Sequence, residues 1–374
     1  MTELNTHVEE AHLLLEQAKS IYKTDRQRAR ALAEQSLAAC RRLNDPWYLA
    51  QALDLAGRAY QTSGSLLKAK ELMEEGFRVR QALDDKKGSG QSLRILGNLA
   101  RWMGNFEEAE ALIRQSMALF TELKDTQQLA LTTHTLHGIL VYGGQFVESI
   151  RLFEEPALIY RELGLPEKPN EPSIVSAFAF MHLGRYKEAE ERFQRTLSIY
   201  PKTASGYAVK NLGRIALVRG NYDEAQTHLL EALTLFRNTG DPNGLGQTLG
   251  CLGITALRLG NLTQAQDTIH ENRQIAAETL IILPSMTALS STDLLNAKEG
   301  HLESAIELYT VALQSGHVAN SRWYHDVIGQ YIDSIAESLP SAVIEAAKER
   351  GRERFGKPRY RNSKLLGRSQ DSLR

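Results

Sequence analysis

Few residues in this chain stand at spacings that a reaction requires. His134 and His137 fall three apart, which puts two imidazoles on one helical face, but no carboxylate or third ligand accompanies them at a recognised metal-site distance. The run Gly244-Leu245-Gly246-Gln247-Thr248-Leu249-Gly250 is the nearest approach to a phosphate-cradling loop. No strand pattern precedes it, and a dinucleotide site needs one. The chain holds no G-x-x-x-x-G-K-[ST], no G-x-S-x-G and no H-E-x-x-H, and neither cysteine has an assignable histidine. Cys40 and Cys251 are 211 residues apart, which fits neither a disulfide framework nor a zinc site, so both read as small buried apolar side chains. The expectation is a protein without catalysis, metal or cofactor, whose chemistry is recognition.

The bulk properties agree. At 374 residues the chain exceeds one ordinary core, so either several domains or an elongated repeat array is expected. A hydrophobic content of 42%, a charged content of 24% and only 10 prolines are those of a folded globular chain. No apolar run approaches the 18 residues of a membrane span, and Met1-Thr2-Glu3-Leu4-Asn5 lacks the basic flank and apolar stretch of a secretory signal; a cytoplasmic location is expected. The net charge of −1 conceals an asymmetry, because residues 348–374 carry +7 and the rest of the chain −8. A mildly acidic body does not track nucleic acid. The basic tail, with Tyr360 among its cations, is the one part suited to weak nucleic-acid or anionic-lipid contact.

What positions the side chains is a repeat. Marker glycines stand at Gly64, Gly104, Gly144, Gly184, Gly220, Gly260 and Gly300, separated by 40, 40, 40, 36, 40 and 40 residues. One period earlier lies Thr24, in a degenerate first copy, which makes eight. Seven residues before the marker comes a small residue (Gly57, Gly97, Ala177, Gly213, Gly253), and five after it comes Ala, with Ser149 as the exception. Four further on stands a bulky apolar side chain: Met73, Ile113, Phe153, Phe193, Leu229, Ile269 or Tyr309. These offsets share one helical face, so each copy reads as helix, tight turn, helix, with the glycine supplying a left-handed turn. Asn105-x-x-Glu108, Asn221-x-x-Glu224 and Asn261-x-x-Gln264 read as capping boxes that open the second helix.

With Leu-Gly in the first helix, Gly at the turn and Ala then a bulky residue in the second, the chain resembles the tetratricopeptide repeat family over about residues 4 to 315. The best copies are 211–233 and 176–201, the latter ending in Pro201. The 40-residue period, with loops such as Leu83-Asp84-Asp85 and Leu123-Lys124-Asp125, is similar to the sensor arms of bacterial STAND-type ATPases and LuxR-like regulators. Tyr331 to Arg352 resembles the end of such an arm. The resemblance implies an all-α fold, a right-handed superhelical solenoid of about eight stacked antiparallel helix pairs. The chain is then divided into a solenoid over 1–317 with a bend at 156–172, C-terminal capping helices over 318–351 and a basic, disordered tail over 352–374.

The resemblance also implies which residues face a partner, because the first helix of each copy lines the concave wall. The lining positions are Gln51, Asp54, Arg58 and Gln61 in the second copy and Gln91, Arg94, Asn98 and Arg101 in the third. These eight carry a net charge of +2, and arginine and amide side chains suit the carbonyls and carboxylates of an extended acidic peptide. His134 follows in the fourth copy, Tyr207, Lys210 and Arg214 in the sixth, and Arg258 in the seventh. Ile174, Phe178 and Met181 form an apolar stretch in mid-groove. Two functions follow as expectations. The first is a non-enzymatic scaffold that binds a protein or peptide, acidic in character, in bacterial signalling or transcriptional regulation; the alternative is a small-molecule-sensing arm with its ligand in that apolar middle. No feature of the sequence sets an oligomeric state.

Overall fold

The computed structural model describes residues 12–18, 20–21, 25–43, 45–152, 171–199 and 205–355. Every regular element among them is helical. After α1 (Arg26–Leu43) the period resolves into pairs: α2 and α3 (Pro46–Thr62, Leu66–Ala82), α4 and α5 (Lys86–Trp102, Phe106–Glu122), α6 and α7 (Thr126–Tyr142, Phe146–Arg151) and α8 and α9 (Glu171–His182, Tyr186–Ile199). These are followed by α10 and α11 (Ser205–Val218, Tyr222–Thr239), α12 and α13 (Pro242–Arg258, Leu262–Thr279) and α14 and α15 (Ile282–Lys298, Leu302–Leu313). This is the helical-pair fold that the repeat implies.

Local chemistry sets the period. All seven marker glycines have φ between +78° and +87°, where an L side chain meets the following carbonyl. The second helices end in the same way at Asp84, Lys124 and Leu280, with φ of +52°, +53° and +57°, here without glycine. An aspartate then caps the next helix: Asp85 Oδ1 accepts from the Gly88 N–H at 2.8 Å, and Asp125 Oδ1 from that of Gln128 at 3.0 Å. The expected capping boxes do not form. Asn105 makes no side-chain cap; its Nδ2 donates instead to Glu108 Oε2 at 3.2 Å, and Asn221 does the same to Glu224 at 3.0 Å.

The small residue of the first helix is there for close approach. A Cβ on Gly57 would lie 2.6 Å from Met73 Cγ, and one on Gly253 would lie 2.5 Å from Ile269 Cγ1. Each glycine therefore receives the bulky side chain of its own copy. Two copies put a polar residue at this position, His137 and Asp293, and both are buried.

The helices group into two compact units. Among the described residues, the first takes those up to Ile139 and Arg237–Pro242, and the second takes the remainder. Beyond α15 the second unit continues through α16 (Gly316–Ala319), α17 (Arg322–Tyr324), a π turn (His325–Gly329), α18 (Gln330–Ala336) and α19 (Ser341–Phe355). Helix α19 covers α15, with Arg350 bonded to Glu303 and Glu307 and a Gly351 Cβ position 2.7 Å from the Glu307 carbonyl. Residues 316–336 meet α15 as well, with Gly329 against Tyr309, and also reach the first helices of the unit. The bend expected at 156–172 lies outside the described residues as far as Asn170; Pro172 stands in the first turn of α8, where its missing N–H is tolerated. Of the expected tail, Arg352–Phe355 belong to α19, and 356–374, like Thr24, lie outside the described residues.

Candidate binding site

The first unit presents the polar wall in part. Arg58 is exposed, and Gln51, Gln91, Arg94, Asn98 and Arg101 are half-buried, at matching positions of α2 and α4. The Arg101 guanidinium donates to Asn98 Oδ1 through Nε at 3.1 Å and Nη2 at 2.6 Å, which fixes both side chains. Asp54 and Gln61 are not on this surface; both are buried. Asp54 Oδ2 accepts from Arg80 Nη2 at 2.6 Å, and its Oδ1 accepts from Ser92 Oγ at 3.3 Å. Burial pushes the Asp54 carboxyl above its ordinary value despite the pull of Arg80 in the other direction. Two charges withdrawn from water are retained when each satisfies the other, and lining positions read from spacing alone miss this. His134 is half-buried, with its ring 6.4 Å from that of His137. Among the described residues no group of three His, Cys, Asp or Glu is placed to hold a metal ion.

The second unit departs further from a solvated wall. Lys210 and Arg214, expected to line the groove, are each 1% exposed. Lys210 Nζ donates to Gln247 Oε1 at 2.7 Å and lies 5.0 Å from the centre of the half-buried Tyr207 ring. The Arg214 guanidinium carbon sits 3.9 Å from the ring centre of Trp323, 5.3 Å from Phe178 and 5.9 Å from Tyr324. Its Nη1 reaches Asn211 Oδ1 at 3.4 Å, while Nε and Nη2 have no hydrogen-bond partner.

What covers Arg214 is residues 316–336. Trp323 Nε1 donates to the Arg214 carbonyl at 3.0 Å, Ser321 Oγ lies 2.6 Å from His182 Nδ1, and Tyr186 Oη donates to Asp326 Oδ2 at 2.7 Å. Arg258 Nη2 donates to the Val327 carbonyl at 2.6 Å, with its guanidinium 5.4 Å from the Tyr331 ring centre. Tyr331 is also met by Lys298 at 5.4 Å. The segment thus touches first helices α8, α10, α12 and α14 in turn. Phe178 and Met181 are buried and Ile174 half-buried, but Phe178 faces the chain's own His317, stacked at 5.7 Å and 14°, where sequence left room for a ligand.

The two histidines of this cluster are neutral. His317, with Nδ1 3.4 Å from the Val141 carbonyl, is pushed down to about 3 by burial and by the Arg214 charge. His182 is lowered well below its ordinary value by burial, by His317, Arg214 and Lys210. Asp293, with no hydrogen-bond partner on either carboxyl oxygen, is raised well above the carboxylate range by burial. Neither these groups nor Trp323 and Tyr324 emerge from sequence spacing. A signal was present all the same. The Trp-Tyr pair falls just after the last repeat, and α12 and α14 carry apolar and small residues all round, the pattern of helices covered on both faces.

The tetratricopeptide repeat model matches residues 202–271, and a second model of the same repeat matches residues 90–123. A search of curated protein sequences finds no match. Among solved structures, the chain is similar to a Rap protein complexed with competence and sporulation factor, with a TM-score of 0.58 and 14% identity over 82% of this chain and 97% of that one. It is also similar to the Cut9–Hcn1 hetero-tetramer of the APC/C, with a TM-score of 0.57 and 15% identity over 85% of this chain and 55% of that one. At such identities the likeness concerns the fold alone. The chain carries tetratricopeptide repeats, and its fold is the helical solenoid of proteins built from them.

Proposed function

We propose that this tetratricopeptide repeat chain is a non-enzymatic scaffold that binds an extended acidic segment of a protein or peptide on the first-helix face of its first unit, within cytoplasmic signalling or regulation. The observation that carries the proposal is the pairing of Arg58, Arg94 and Arg101 with Gln51, Gln91 and Asn98 on successive first helices. Amides bond to the backbone of an extended chain, whereas guanidinium groups select carboxylates, and the 40-residue register presents both in the second and third copies. A similarly folded protein, the Rap protein, is solved in complex with competence and sporulation factor, which supports a binding role for such a fold.

The test is affinity capture from native extract on the full chain, beside the variant Arg58→Glu, Arg94→Glu, Arg101→Glu. Three reversals change the wall by six charges. A partner with an acidic segment should be retained by the parent and lost from the variant, and its binding to the parent should weaken between 50 and 300 mM salt. Recovery of the same proteins by both chains would refute the proposal. Phe178, at the centre of the apolar stretch that the small-molecule alternative requires, is packed against His317.

A further inference from the structure

We infer that residues Ser321–Val327 are a built-in ligand of the second unit, and that the first-helix face they cover is a recognition site for a peptide bearing two adjacent aromatic residues followed by an acidic one. This goes beyond the polar wall of the first unit and does not depend on it.

The segment is held as a bound peptide is held. Its aromatic pair sits over a cation, Trp323 on Arg214. Its acidic residue, Asp326, accepts from Tyr186 on the neighbouring helix pair, and a backbone carbonyl, that of Val327, accepts from Arg258. Its hydroxyl, Ser321, meets His182. Aromatic anchor, charge partner and main-chain contact therefore come from three different first helices and one second helix. The segment itself is irregular: a four-residue helix, a three-residue helix and a π turn, a rare element, between Ser315 and the break at Leu339-Pro340. It does not continue the repeat grammar, so its conformation follows the surface it lies on.

The fit is also incomplete, and this indicates what a competitor would add. Arg214 is 1% exposed, with Nε and Nη2 unpartnered, and His182 Nε2 is likewise buried without a partner. A buried guanidinium without an acceptor for two of its nitrogens is costly, and a carboxylate reaching them would relieve that cost. The segment's own carboxylate, Asp326, is engaged at Tyr186 and Arg322 instead. A peptide presenting an aromatic ring to the Arg214 face and a carboxylate to its edge satisfies groups that the built-in segment leaves open.

The test uses the full chain and a labelled synthetic peptide of residues 319–333, Ala-Asn-Ser-Arg-Trp-Tyr-His-Asp-Val-Ile-Gly-Gln-Tyr-Ile-Asp, read by fluorescence polarisation. If the segment keeps its site closed nine times in ten, apparent affinity falls tenfold. Trp323→Ala with Tyr324→Ala, which weakens the built-in copy, should therefore bind the peptide at least about tenfold more tightly than the parent. Adding Arg214→Ala should abolish that gain. A variant that keeps its helical circular dichroism but gains no affinity, or a gain indifferent to Arg214, would overturn the inference. Should the variant fail to fold, hydrogen exchange on the unaltered chain decides: amides of 316–331 opening before those of α12 and α14 support a detachable ligand, and exchange of all three only together identifies the segment as fixed core. The Arg58, Arg94, Arg101 variant should bind the peptide as the parent does, so failure here and failure of the proposed function are separate results.

Discussion

Acidification should loosen the second unit through its two buried histidines. In the unfolded chain each imidazole takes a proton near pH 6.5. In the folded chain His317 does so only near 3, and His182 is also held well below its ordinary value. The unfolded state therefore binds more protons as pH falls below 6.5, so the stability they contribute is fully present above that value and lost on the acid side. From pH 7.5 to 5.5 the loss is about 1.4 kcal/mol for His317, and His182 adds a loss of the same sign. His317→Phe keeps a ring stacked on Phe178 and removes one titration. The assay is urea unfolding followed by Trp323 emission in a Trp47→Phe, Trp102→Phe background at both pH values. The parent should lose about 1.4 kcal/mol more than the His317→Phe chain over that interval. Equal losses would refute the assignment of His317 as a buried neutral group.

Two further perturbations test the packing. Gly253→Ala drives a Cβ to within 2.5 Å of Ile269 Cγ1 and should destabilise the second unit by about 1–3 kcal/mol, measured in the same background. Asp54→Ala takes from Arg80, whose side chain is only 9% exposed, the closer of two carboxylates and leaves the 3.5 Å contact to Asp85, so it should cost the first unit about 3 kcal/mol; Asp54→Leu with Arg80→Met should recover most of it.

The legible part of this molecule was its periodic part. Glycine spacing located the turn inside each of seven copies, because a left-handed residue recurs where the first helix stops, and the small-to-bulky offset located the contacts between Gly57 and Met73 and between Gly253 and Ile269. Positions that depend on one copy alone were less visible. Asp54 and Lys210 occupy the same register as Arg94, which reaches solvent in part. Asp54 is buried because Arg80, 26 positions away, needs an anion; Lys210 is buried because Gln247, one period later, accepts from it. Arg214 is buried because Trp323 arrives from outside the repeat. A repeat pattern averages over copies and so is silent on what makes one copy different.

The bonds that close the second unit join residues 109 to 176 positions apart: Trp323 to Arg214, Ser321 to His182 and His317 to Val141. Repeat arrays otherwise form from neighbours and can fold as they are made. Here α8 and α10 leave the ribosome well before the aromatic pair that covers them. At about 5–20 residues per second, roughly five to twenty seconds of synthesis separate Arg214 from Trp323. During that interval Arg214 and His182, both destined for burial, stand open to water and to any chaperone or partner at hand. Synthesis of residues 316–336 is thus the step that ends the nascent chain's exposure, and truncation before Trp323 would make that exposure permanent.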